Sequence, residues 1–95
     1  MKLTTDGTLE ARSAPPYFTL ERDGRKPNTI RLVDEVEFDL CTRAKAIRIH
    51  GLGANSGDLF IRSLSGVFDV TDGMVAGGFD IPRGCHAVML CWEAS

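Results

Sequence analysis

No apolar run in this chain of 95 residues approaches the ~20 residues that a membrane-crossing helix needs. Its first residues, Met1-Lys2-Leu3-Thr4-Thr5-Asp6-Gly7, lack the apolar core of a signal peptide, so Sec-type export is not expected. No charge of one sign dominates: 11 basic and 13 acidic residues give a net charge of -2, and the two signs are interleaved. Nucleic acid and acidic membranes attract chains with a gathered basic excess, so neither is expected as a partner. Cysteine is scarce and odd in number. Cys41, Cys85 and Cys91 cannot form a complete set of internal bridges. On one extended strand Cys85 and Cys91 would stand roughly 20 Å apart, beyond disulfide reach. Three reduced thiols packed as small hydrophobes are expected, with an intermolecular disulfide as the alternative.

Motifs of chemistry are missing too. Gly51-Leu52-Gly53-Ala54-Asn55-Ser56-Gly57 is rich in glycine but lacks the Gly-Lys-Ser/Thr ending of a phosphate loop. The strand-like segment after it supplies no helix N-terminus, so it reads as a hairpin loop. Zinc would need a close Cys/Cys or His/His pair, which is absent. His50 and His86 are the only histidines, and there is no Gly-x-Ser-x-Gly elbow to present a nucleophile. No catalytic residue, no metal ligand and no cofactor are therefore expected, and the chain does not read as an enzyme.

What is present is β-pattern. With 43% hydrophobic and 25% charged residues the composition is that of one ordinary globular domain. Residues 1–16, ending in Pro15-Pro16, show no period and read as an extended N-terminal arm, mobile or laid on a neighbour. Residues 17–95 read as a single β domain. Alternation marks strands at Tyr17–Arg22, Thr29–Val33, Val36–Leu40, Ala46–His50, Asp58–Arg62, Gly66–Val70 and Cys85–Glu93, with short pieces at Met74–Ala76 and Phe79–Ile81. Turn residues separate them, Asp23-Gly24 among them. Seven to nine short strands at near-regular spacing predict an all-β fold: an antiparallel β-sandwich or jelly-roll-like barrel. Glu35, Glu37 and Asp39 would form a wet strand face paired with arginines such as Arg31 or Arg48.

The last strand carries most information. Cys85, Ala87, Met89 and Cys91 point one way, and His86, Val88, Leu90 and Trp92 the other. Both faces are largely apolar, so the strand must be covered twice. The Cys85/Ala87/Met89/Cys91 face is therefore a candidate oligomer interface. Phe60 shares a face with Asp58 and Arg62, which places it outside the core. With Leu52 and Asn55 of the glycine loop it is a candidate surface contact.

The stretch Cys41-Thr42-Arg43-Ala44-Lys45-Ala46-Ile47-Arg48-Ile49, the glycine loop, Phe79-Asp80-Ile81-Pro82-Arg83-Gly84 and the strand ending Leu90-Cys91-Trp92 occur in an order that resembles small tailed-phage virion proteins of the head-decoration or spike-base type. The resemblance covers about residues 41–92. It implies a non-catalytic subunit, often a homotrimer, that contacts a capsid or other virion protein after assembly in the host cytoplasm. The alternative is a small soluble binding module or inhibitor that blocks a host protein through its loops.

Overall fold

The computed structural model describes residues 1–93; the last two residues of the expected β domain lie outside the described residues. The chain is mostly β, but among the described residues three α-helices and a 3-10 turn, Gly53–Asn55, interrupt it. In order they are β1 (Lys2–Leu3), β2 (Thr8–Ser13), α1 (Tyr17–Arg22), β3 (Asn28–Val33), α2 (Glu35–Arg43), β4 (Ala46–Gly51), β5 (Leu59–Asp69), α3 (Thr71–Ala76) and β6 (His86–Trp92). The six strands form one mixed sheet in the order β1-β2-β4-β5-β6-β3. β2 runs parallel to β4, and the other pairs are antiparallel.

The expected arm is part of this sheet. Leu9 and Ala11 of β2 are buried, and their partners across the parallel pair are Ile47 and Ile49 of β4. Residues 2–3 and 8–13 thus find their strand partners within their own chain, because alternation in Thr8–Ser13 supplies an apolar inner edge.

Two expected strands are helices. Pro15 and Pro16 precede α1, where Phe18 and Glu21 share the buried face one turn apart. Six residues are too few to separate a period of two from one of 3.6. In α2, Asp34 and Glu37 form a reciprocal capping box: the Asp34 carboxylate accepts from the Glu37 N–H at 2.8 Å. That closes the helix start at the residues whose apolar-acidic alternation suggested a strand. The acidic residues consequently leave the sheet. Glu35 meets His86, Glu37 meets the Met1 ammonium and Asp39 meets Arg43, while Arg48 pairs with Glu10.

The expected strands at 58–62 and 66–70 are one long strand, β5. Its first half pairs with β4 and its second half with β6, with an irregularity between Leu64 and Gly66. A bulge bends a strand and increases its twist, and here it curls the sheet. Met74–Ala76 lies in α3, and Phe79–Ile81 is not a strand.

The curled sheet encloses Leu9, Ile47, Ile49, Val88 and Leu90, all fully buried. Burying each such side chain contributes about 1.5–3 kcal/mol. Phe18 of α1 plugs one end, its ring centroid 5.3 Å from that of Phe60, which in turn meets Trp92 edge-on at 6.1 Å. Phe60 is therefore core and not a surface contact. The strand's other parity, Leu59 and Ile61, is the half-exposed one.

Candidate functional site

The curl brings β3, at one edge of the sheet, beside β2. Between them lies a seam, and Arg31 spans it. Thr29, Arg31 and Val33 turn inward from β3, leaving Ile30 and Leu32 about half exposed on the outside. The more apolar pair of this strand thus lies on its outer face. Arg31 Nη1 donates to the Arg12 carbonyl at 2.6 Å, Nη2 to Ser13 Oγ at 2.7 Å and Nε to Thr29 Oγ1 at 3.0 Å. Burial pulls the Arg31 guanidinium below its ordinary pKa, and the neighbouring Glu21 charge works against that.

Glu21 lies beneath the seam. It is 1% exposed, and it is the one acidic side chain among the described residues that is buried. Ser13 Oγ donates to its Oε1 at 2.8 Å, and Lys26 Nζ donates to its Oε2 at 3.1 Å. Lys26 also donates to the Asn28 carbonyl at 2.8 Å. Ser13 from β2, Glu21 from α1, Lys26 from the following loop and Thr29 and Arg31 from β3 thus form one connected polar network. Glu21 is placed there by helical spacing, one turn after the buried Phe18.

The network floors an open cleft of about 420 Å³, whose rim includes Tyr17, Ile30 and Met74. The cleft has a net charge of +2 from Arg12, Lys26, Arg31 and Glu21. Lys26 and Arg31 retain hydrogens: of three on the Lys26 ammonium, two are used, and of five on the Arg31 guanidinium, three are used. Replacing a buried ion network by apolar side chains is often neutral or stabilising. The network is thus weak evidence of a stabilising device, and a buried carboxylate at the floor of an open cleft makes the seam a candidate functional site.

A wider depression of about 800 Å³ lies over β2, β4 and the glycine loop. Its Glu10 carboxylate is already met by Arg48 at 2.8 Å and His50 at 3.5 Å. Arg12 and Arg31 line it too, so it adjoins the seam, and its other polar side chains, Lys2, Glu10, His50 and Asp58, all keep contact with water.

The residues singled out from sequence lie elsewhere. Cys85 stands in the turn before β6, its N–H donating to the Pro82 carbonyl, so it does not share the strand face. Ala87, Met89 and Cys91 do share it, on the outside of the sheet. Ala87 is buried there, and Met89 and Cys91 are half-buried. All three cysteines are free thiols. Leu52 is exposed and Asn55 half-buried; Leu52 lines the wider depression, and its N–H donates to the Ser13 carbonyl at 3.0 Å. Among the described residues, no cluster of His, Cys, Asp and Glu is placed to hold a metal ion. None of their helices is long and apolar enough to cross a membrane.

No protein-family model matches this chain, and neither does any curated protein or any solved structure.

Proposed function

We propose that this protein is a binding domain. Its seam cleft takes a small ligand that offers a carboxylate, phosphate or carbonyl oxygen to Lys26 and Arg31. The observation that carries this reading is the buried Glu21 carboxylate, held by Ser13 and Lys26 at the floor of an open cleft. Three cations, Arg12 among them, and one anion favour an acceptor group, and Glu21 holds both Lys26 and Ser13 in fixed positions before the ligand arrives. Such pre-organisation lowers the cost of binding. The curled sheet acts as a barrel-like container left open at one side. This develops the small-binding-module alternative, with the site at the seam and not on the glycine loop.

The test is thermal stabilisation by acetate, inorganic phosphate and N-methylacetamide, each titrated into the millimolar range typical of fragments. At least one probe raises the melting temperature of the wild type and not that of Arg31→Met. If none does so, or if both proteins respond equally, the reading is wrong.

One observation supports a second reading. Register aligns Ile30 of β3, Met89 of β6 and Phe68 of β5 in one row on the outer face, with Ile30 and Phe68 about half exposed. Uncharged rows of this kind suit subunit contacts. They support a non-catalytic virion subunit, a capsid decoration or spike-base homotrimer, using the Ala87/Met89/Cys91 face. Light scattering coupled to size exclusion distinguishes them: a trimer that Phe68→Glu dissociates supports this reading, and a monomer at high concentration rejects it.

A further inference from the structure

We propose that His86 is a pH-sensitive latch that fastens the start of α2 to the end of β5 and lets it go when the imidazole loses its proton. His86 opens β6. Its Nδ1 lies 3.0 Å from Asp69 Oδ2 on β5, and its Nε2 lies 2.8 Å from Glu35 Oε1 on α2.

An ionised carboxylate only accepts hydrogen bonds, so each contact needs a hydrogen on the imidazole nitrogen. A neutral imidazole has one such hydrogen, and the imidazolium has two. Both contacts together therefore require the charged form. The ring is stacked on Phe38 of α2, with centroids 4.3 Å apart, and Val33 of β3 is its cross-strand neighbour. Among the described residues, Glu35 from α2 and Asp69 from β5 are the charged groups that pair with it. Glu35 first, then Asp69, hold its pKa above the ordinary histidine value.

The two arms are not equal. Asp69 Oδ1 also accepts from the Thr71 N–H at 2.9 Å and from the Thr71 hydroxyl. Thr71 Oγ1 in turn accepts from the Ala87 N–H at 3.0 Å. Asp69 is thus fixed by groups that do not titrate near neutrality. The Glu35 side chain is 70% exposed, and water takes over its hydrogen bonding at little cost. Loss of the proton accordingly breaks the Nε2–Glu35 contact and spares the Nδ1–Asp69 one. The first turn of α2 then keeps its capping box and the Glu37–Met1 ion pair but loses the Glu35 tie to β6.

The latch is tested on the unliganded protein by following the His86 ring and the backbone amides by NMR across its titration, so the outcome is independent of the proposed cleft ligand. The expected result is a His86 midpoint above that of an unstructured histidine. The Glu35 and Val36 amides move with the same midpoint, and the Thr71 amide stays nearly still. Glu35→Gln lowers the midpoint and removes the coupled response of the α2 amides. Glu35 and Val36 amides that ignore the His86 transition would overturn the proposal. So would a Thr71 amide that moves in their place, or a midpoint unchanged in Glu35→Gln.

Discussion

Lys26 Nζ stands 3.1 Å from Oε2 of Glu21, across a boundary between a half-exposed ammonium and a fully buried carboxylate. The pair is asymmetric, so its two partners are not equivalent to mutation. Lys26→Met leaves a buried carboxylate with Ser13 as its remaining partner and costs about 3 kcal/mol. Glu21→Gln removes the buried charge, keeps a side chain able to meet Ser13 and Lys26, and costs less, about 1 kcal/mol. The double variant is less destabilised than the sum of the two. Urea denaturation of the four proteins as a double-mutant cycle checks this; additive costs would mean that the contact carries no coupling.

Stability should peak in mildly acidic solution. Hydrogen bonds from Arg48 and His50 depress Glu10, and hydrogen bonds from Thr71 depress Asp69. Each contributes stability that is present above its unfolded pKa, about 4.5 for a free glutamate, and lost as pH falls through the lower folded value. His86 has the opposite sign. Its folded pKa is raised, so its contribution is complete below about 6.5 and declines as pH rises through the folded value. The melting temperature is therefore highest between these limits. In His86→Gln the decline on the alkaline side becomes shallower, and the acid side loses only the part of the Asp69 contribution that His86 supplies, the Thr71 hydrogen bonds remaining. An identical alkaline slope in that variant would contradict the sign.

Phe60 tests the packing. Its ring is the link between Phe18 of α1 and Trp92 of β6. Phe60→Ala should cost about 3–5 kcal/mol by emptying that space. Leu59→Ala, one residue away on the exposed side, should cost less than about 1 kcal/mol. Denaturation midpoints decide it, and near-equal costs would return Phe60 to the surface.

Gly51 ends β4 where the chain turns tightly over the loop. A Cβ there would lie 2.2 Å from the Asn55 carbonyl oxygen and 2.6 Å from the Asn55 Cβ. Gly51→Ala must therefore displace backbone, and a loss of about 1–3 kcal/mol is expected by the same measurement. A neutral effect would mean that the loop is looser than its contacts indicate.

What was legible in the sequence follows the range of the interactions. β4 read correctly because Ile47 and Ile49 alternate with Arg48 and His50, and β6 because an unbroken apolar run, Ala87 to Trp92, follows the Pro82-Arg83-Gly84 turn. α2 was misread although its start signal, Asp34 with Glu37 three residues on, is present. Apolar and acidic residues alternating over Val36–Leu40 fit a strand equally well locally, and tertiary packing of Phe38 and Cys41 decides for the helix. Which face of β3 turns inward is not legible from alternation, because Ile30 and Leu32 are the more apolar pair, yet the interior at that edge is polar. The seam itself had no local signature. Ser13, Glu21, Lys26, Thr29 and Arg31 come from four separate segments. They meet only because β2 pairs in parallel with β4 and the bulged β5 curls the sheet.

The central claim is that the seam cleft binds an acceptor group. The most direct measurement is a map of backbone amide shifts as the best thermal-shift probe, such as acetate, is titrated into the wild type and into Arg31→Met. The account predicts saturable changes centred on Ser13, Lys26, Thr29 and Arg31 in the wild type, and their loss in the variant. Changes centred on the glycine loop or on the Met89 and Phe68 face, or none at all, would contradict it.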